Sequence, residues 1–230
     1  MNGTQINTPA WTSISFGFQW KFMLPEVYRF ENQQWIDEFF ETGCLRLSNF
    51  AKFSTYDHEA RGDNMEGQGL SISQKGSRSV GVWLKEGRNS FVLSCGLLPH
   101  KGIMEELDRN SAFVISDPIG FAAEIARQIP GVIGGFSGLC VYRDPPILYR
   151  DLKDADFPSE TDSLDQIMKI GEKLGGEERY LIKHTKYELQ REYRFIWQTD
   201  QPAEDYLDVT APAARRFCRR IRENEIRASA

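Results

Sequence analysis

Cysteine and histidine are both scarce. Cys44, Cys95, Cys140 and Cys218 are the only cysteines in 230 residues and none falls at CxxC spacing, which excludes a disulfide framework as the organising principle and fits reduced thiols. His58, His100 and His184 are the only histidines and no HxxxH pair occurs, so a metal centre built on them would need long-range convergence. Long apolar runs are missing too. No stretch approaches the roughly 20 residues of a membrane span, and the first residues lack the basic flank and apolar core of a signal peptide. The expectation is a soluble, cytoplasmic chain with no membrane partner. There is no large excess of either charge: 28 Lys and Arg face 33 Asp and Glu for a net charge of -5. The molecule as a whole is therefore not an electrostatic nucleic-acid binder, and any basic partner surface must be local.

What is present suffices for a core. Hydrophobic residues make up 40% and aromatic residues 12% of the chain, which excludes global disorder and fibrous architecture, and the length fits one domain with an appendage. Residues 1–10 read as a loose start. Ile14, Phe16, Phe18, Trp20 and Phe22 then alternate with polar residues or glycine as one period-2 strand. A short strand, Val27 to Phe30, precedes a helix carrying Trp35, Ile36, Phe39 and Phe40, with Gly43 at its C-terminal cap. Cys44 to Ser48 reads as a strand with Leu45 and Leu47 inward, and residues 49–78 read as a long polar functional loop. Further strands are expected at 79–84, 91–95, 112–115 and 139–142. Asp117 and Pro118 open a helix with Phe121, Ile125 and Ile129 on one stripe. Residues 144–158 read as a surface connection, followed by an amphipathic helix with Leu164, Ile167, Met168 and Leu174. In a strand over 191–198, Tyr193, Phe195 and Trp197 lie on one face and Glu192, Arg194 and Ile196 on the other. Strands and helices do not alternate strictly, which predicts an α+β class: a single domain over 11–210, with a mixed, mostly antiparallel sheet and flanking helices.

A basic helix is expected over 211–230, packed on the domain or projecting from it. Six arginines (Arg215, Arg216, Arg219, Arg220, Arg222 and Arg227) stand there against Glu223 and Glu225. They can complement an acidic body or a helix C-terminus, or contact nucleic acid or a protein target.

Several residues could carry chemistry. Arg29, between Tyr28 and Phe30 on a strand, is either a rigid fork for phosphate or carboxylate or a structural ion-pair member. Lys183 and the Glu192/Arg194 pair stand on or beside a stiff aromatic strand, which suits a catalytic carboxylate, although by themselves the residues favour a structural Glu–Arg ladder with a neighbour such as Arg29 or Arg46. In the acidic loop, Glu59, Arg61, Asp63 and Glu66 cluster between glycines. They could hold a metal, neutralise an arginine or cap a helix, and they match no calcium-loop spacing. His184 reads as an ordinary polar residue, because no Ser or Cys nucleophile stands in a motif. The Gly-rich run 131–138 precedes a strand and so is no phosphate cradle.

The order Tyr28-Arg29-Phe30, helix, Leu45-Arg46-Leu47-Ser48, acidic loop, Val92-Leu93-Ser94, then Lys183 followed by Tyr187 and Glu192-Tyr193-Arg194 resembles the bacterial "domain of unknown function 2971" family across most of residues 27–198. Where that family carries Asn-Asp-Pro-Phe-Glu, this chain offers Tyr56-Asp57-His58-Glu59 or Asp63-Asn64-Met65-Glu66. The same order is more distantly similar to the ADP-ribosyltransferase-like fold. That second resemblance implies NAD as substrate, Arg29 as its ribose or pyrophosphate ligand with catalytic importance, Ser48 at the nicotinamide end, Arg46 and Arg194 as further NAD-binding cations, and Glu192 as the catalytic carboxylate. The setting it implies is a bacterial toxin or phage-defence effector. A carboxylate near the ribose would stabilise the oxocarbenium-like state of glycosidic cleavage. Two other classes stay open: a non-catalytic nucleotide- or partner-binding module, and a metal-dependent nuclease using Asp63, Glu66 and Glu59. Oligomeric state is not set by the sequence.

Overall fold

In chain order, the computed structural model contains β1 (Trp11–Ser15), β2 (Gln19–Met23), β3 (Val27–Glu31), α1 (Gln33–Thr42), β4 (Cys44–Asn49), α2 (Phe50–Phe53), β5 (Gln68–Lys75), β6 (Arg78–Lys85) and β7 (Ser90–Gly96). It continues with α3 (Lys101–Glu106), β8 (Ser111–Ile115), α4 (Pro118–Ala126), β9 (Val132–Leu139), β10 (Val141–Arg143), β11 (Ile147–Tyr149), α5 (Leu164–Gly175), β12 (Ile182–His184), β13 (Glu192–Thr199), β14 (Tyr206–Thr210) and β15 (Cys218–Arg220). The structure describes residues 11–15, 19–53, 68–85, 87, 89–153, 157–159 and 161–226. The class is α+β with largely antiparallel pairing. The residues group into two compact units, the first comprising Met1–Arg46, Ser94–Val132 and Asp208–Ala230, the second Leu47–Leu93 and Ile133–Leu207.

In the first unit β8 is the central strand. It pairs antiparallel with β3 (Val27↔Ile115 through Glu31↔Ser111) and with β15 (Cys218↔Ile115 through Arg220↔Phe113), while Tyr28 pairs with Gly96. The α1 helix buries Ile36 and Phe39, and the Phe39 ring stacks on Phe113 at 4.9 Å. Its end is set by Gly43, whose φ of +83° is the left-handed conformation of a helix cap and whose N–H donates to the Phe39 carbonyl. At α4 the Asp117 carboxylate accepts from the N–H groups of Ile119 and Gly120, with Pro118 at the first turn, as the Asp-Pro signal predicts.

Two expectations for this unit are corrected. The alternating run from Ile14 to Phe22 is not one strand: β1 and β2 pair antiparallel from Trp11↔Met23 to Ser15↔Gln19. Nor is the C-terminal segment an α-helix. Pro212–Phe217 is a 3-10 turn, Cys218–Arg220 is strand β15, and Glu223–Glu225 is a second 3-10 turn. Strand pairing with the edge of β8 satisfies backbone groups that a helix would have paired internally.

Four arginines of that segment face acidic partners or carbonyls of their own unit, while Arg227 lies outside the described residues. Arg216 pairs with Glu124, Arg219 with Glu26 and Glu225, and Arg220 with Asp37. Arg215 donates to the carbonyls of Phe40 and Glu41, both at 2.9 Å, and so neutralises the negative end of α1. Replacing Arg215 with Ala is expected to cost about 1–2 kcal/mol in urea unfolding. Exposed Arg222, tested the same way, is expected to cost under about 0.5 kcal/mol.

The second unit contains the three-stranded sheet β11-β5-β6, in which β5 and β6 form a hairpin and β11 runs parallel to β5. One face packs Val80, Val82 and Ile170 against Leu152, Phe157 and Leu174, bringing α5 onto the sheet. All of β5 lies in what the sequence presents as loop. Its inward positions Ser71 and Ser73 are polar, and the short alternation of Leu70 and Ile72 with them puts the apolar residues on the opposite face. The same unit pairs Ser48 and Asn49 of β4 with Val92 and Phe91 of β7, pairs β9 with β13, and runs β10 parallel to β12. Its second core joins Phe50, Val92, Tyr180 and Ile196. The strand expected at 139–142 is instead the junction of β9 and β10, since the glycine-rich run ahead of it is itself extended. Among the described residues no helix is long and apolar enough to cross a membrane.

Candidate functional site

Three of the candidate residues converge in the second unit. Strand β12 carries Lys183 and, after a 3-10 turn over Thr185–Gln190, Arg191 adopts φ of +42° and turns the chain into β13. This short return places the two charged ends of the segment against each other. Lys183 Nζ donates to Glu192 Oε2 at 2.7 Å and to Gln190 Oε1 at 3.1 Å, and Arg194 Nε donates to Glu192 Oε1 at 2.6 Å. A further Arg194 nitrogen donates to the Tyr180 carbonyl at 2.7 Å, and the Glu192 N–H donates to the Tyr142 hydroxyl at 2.8 Å.

The cluster is interior. Glu192 is 5% exposed, Lys183 5% and Arg194 1%. Aromatic rings enclose it: Lys183 Nζ lies 4.6 Å from the Tyr187 ring centre, and the Arg194 guanidinium lies 5.7 Å from that of Phe50, which stacks on Tyr180. On the opposite face of β13, Phe195 stacks on Trp197 and meets Tyr193 edge-on. Both faces of the strand are therefore covered, a feature of the alternating pattern that periodicity alone does not reveal.

Electrostatics follow from this packing. Burial by itself would raise the Glu192 carboxyl, but Arg194 and Lys183 beside it outweigh burial and hold it well below the usual carboxylate range. Glu192 is thus a permanent anion at neutral pH, unsuited to exchanging a proton. Burial pushes the Tyr142 phenol upward, so it stays protonated.

The remaining candidates lie apart from this cluster or beyond description. Arg29 belongs to the first unit, where it bonds Glu31 at 2.9 Å and the Ser94 carbonyl at 2.9 Å, with Arg109 on the other oxygen of Glu31. Arg46 makes a two-pronged pair with Asp208, both bonds at 2.7 Å, on an exposed surface. Its guanidinium lowers the Asp208 carboxyl. Ser48 sits on β4 opposite Val92. Asp57, Glu59, Arg61, Asp63 and Glu66 fall outside the described residues. Among the described residues no group of three or more His, Cys, Asp and Glu side chains could hold a metal ion. His184 acts locally: its Nδ1 accepts from the Lys186 N–H, and its Nε2 lies 3.3 Å from Asp144.

The thiols are not poised as nucleophiles. Cys95 and Cys140 are buried, burial raises Cys218, and burial with Glu38 raises Cys44. Tyr142, Tyr180, Phe50 and Gln190 are the members of the site that the sequence does not announce. Gln190 stands seven residues from Lys183 on a segment already singled out, but Tyr142 arrives through the parallel pairing Tyr142↔Lys183, which has no local signature.

No protein-family model, curated protein or solved structure matches the chain.

Proposed function

We propose that the chain is a non-catalytic binding module for a nucleotide-containing ligand, in which Lys183, Glu192 and Arg194 form a structural core. One contrast carries this reading: the Glu192 carboxylate that would perform transfer chemistry is turned inward with Lys183 and Arg194, while Trp83 and Tyr149 are turned outward, 53% and 65% exposed. A catalytic carboxylate must reach the reacting ribose. Both Glu192 oxygens are already engaged by cations at 2.6 and 2.7 Å.

A second reading, ADP-ribosyl transfer or cleavage of NAD, draws support from one property of the same residue. A carboxylate held ionised is what electrostatic stabilisation of an oxocarbenium-like state requires. The two readings separate in a paired experiment. Incubating the protein with NAD and analysing products by mass spectrometry is expected to return intact NAD. Thermal unfolding in the presence of NAD, ATP and GMP is expected to show stabilisation by at least one of them. Free nicotinamide or an ADP-ribosylated product, absent with Glu192→Gln, overturns the binding reading in favour of the enzyme. Neither product nor any thermal shift overturns both.

A further inference from the structure

Strand β9 has a single strand neighbour among the described residues, β13. Side chains alternate along a strand, so Phe136 packs inward beside Tyr180 while Ile133, Gly135, Ser137 and Leu139 share the other face, where all four are exposed. Ile133 is 71% and Leu139 48% exposed, so these two apolar side chains lie uncovered. The strand is nonetheless firmly seated. A Cβ added at Gly135 would lie 2.5 Å from the Ile196 carbonyl oxygen, which shows how closely the backbone of β13 approaches. The far edge of β9 therefore presents the N–H and C=O groups of alternate residues, already held in strand conformation, as a template for another strand.

Open edges are ordinarily protected by charge, proline or brevity. Three other strands with one neighbour among the described residues follow that rule. β15 has three residues and carries Arg219 and Arg220, β14 carries Asp208, and β6 carries Arg78 and Lys85. β9 has eight residues, Val-Ile-Gly-Gly-Phe-Ser-Gly-Leu, with neither charge nor proline.

This composition selects the partner. When two identical strands pair about a two-fold axis, a charge near the centre meets its own copy, and like charges directly opposite are destabilising. β9 has none to oppose. Centring the axis on Phe136 sets Gly135 opposite Ser137, Gly134 opposite Gly138, and Ile133 of each copy opposite Leu139 of the other. The two uncovered apolar side chains then meet on both sides of the axis. Such a pair exchanges about eight backbone hydrogen bonds, against about 10 in a typical interface. Among the described residues no second edge of this length is uncharged, so pairing closes at two copies and leaves nothing to propagate.

We infer that the chain forms a two-fold symmetric dimer by antiparallel pairing of β9 with β9 of a second copy. The inference stands apart from the ligand reading, which holds for one copy or two.

The test is sedimentation velocity on the full chain over about a hundredfold range of concentration from the micromolar upwards. The expected result is a reversible equilibrium between 26.4 kDa monomer and a species of twice that mass. Ile133→Lys and Leu139→Lys are each expected to raise the dissociation constant about tenfold, because each change is repeated across the axis, and together about a hundredfold. Ile133→Lys combined with Leu139→Glu sets opposite charges against each other and is expected to return to within about threefold of wild type. Residues 133 and 139 stand about 20 Å apart along one strand, so only a second copy accounts for that rescue. Both side chains are exposed, and circular dichroism checks that each variant folds. A chain that stays monomeric throughout overturns the inference, as does a dimer that neither lysine variant weakens. A charge-swapped variant no tighter than the double-lysine one, or species growing beyond two copies, overturns it too. So does a dimer that Trp83→Ala dissociates and Ile133→Lys leaves intact, because the contact then lies on the β11-β5-β6 sheet.

Discussion

Replacing Glu192 with Ala is expected to lower stability by about 3–5 kcal/mol, because it leaves two buried cations without their counter-charge. The geometry makes this severe. Lys183 and Arg194 each direct a nitrogen at a different oxygen of the same carboxylate, and all three residues are 5% exposed or less. Glu192→Gln keeps the shape and removes the charge. It should fall between wild type and Ala, since an amide can accept from one cation but presents an N–H₂ group to the other. Urea denaturation at neutral pH measures both. A loss under about 1 kcal/mol for Ala would place the cluster among exposed ion pairs and contradict its burial.

The pH dependence has a definite sign. The folded-state pKa of Glu192 is depressed, so its contribution is present above the unfolded-state value and is lost as pH falls through the folded-state value. Wild-type stability should therefore decline on acidification below about pH 4, the ordinary carboxylate range. In Glu192→Gln this part of the decline should be absent. Asp208 and Glu178 are lowered by Arg46 and Arg150 in the same direction, but their solvent exposure makes them smaller contributors.

The second large effect is expected at Gly43. An added Cβ there would lie 2.5 Å from Pro212 N, 2.6 Å from Pro212 Cα and 2.7 Å from the Ala211 carbonyl carbon, and all three are backbone atoms. The residue also has a left-handed φ of +83°. Two costs therefore combine in Gly43→Ala: the left-handed strain of an L-residue and displacement of the chain that caps α1, together about 2–5 kcal/mol. Gly76, at φ of +59° with nothing within 4 Å of an added methyl, isolates the first. Gly76→Ala should cost only about 1–2 kcal/mol in the same unfolding assay. Equal losses at the two glycines would show that the approach of residues 211 and 212 contributes nothing.

Where local chemistry is decisive, the fold is legible in the sequence. Asp117-Pro118 announces α4, Gly43 announces the end of α1, and the stripe ending in Leu174 announces α5. Where tertiary pairing decides, it is not. The β1–β2 pairing is concealed by parity: Ser15 pairs with Gln19, so even-numbered residues oppose even-numbered ones and the alternation in the sequence continues unbroken from one strand into the next. In the C-terminal segment, Phe217, Ile221 and Ile226 imitate a helical stripe, yet residues 218–220 add a strand to β8. For the candidate site, the Lys183 to Arg194 segment is identifiable as unusual from its charges on an aromatic strand. Its enclosure is not, because Phe50, Tyr142 and Tyr180 come from distant stretches of chain.

The two compact units interleave along the polypeptide, which passes from one to the other four times. During vectorial synthesis the first unit must wait for its last contributor. Until residues 208–230 emerge, β8 lacks β15 and the carbonyls ending α1 lack Arg215. Early completion is thus denied to the half that begins the chain, and the nascent protein depends on a late-arriving clasp. Shortening the polypeptide by about two dozen residues should leave an aggregation-prone species rather than a slightly weakened one.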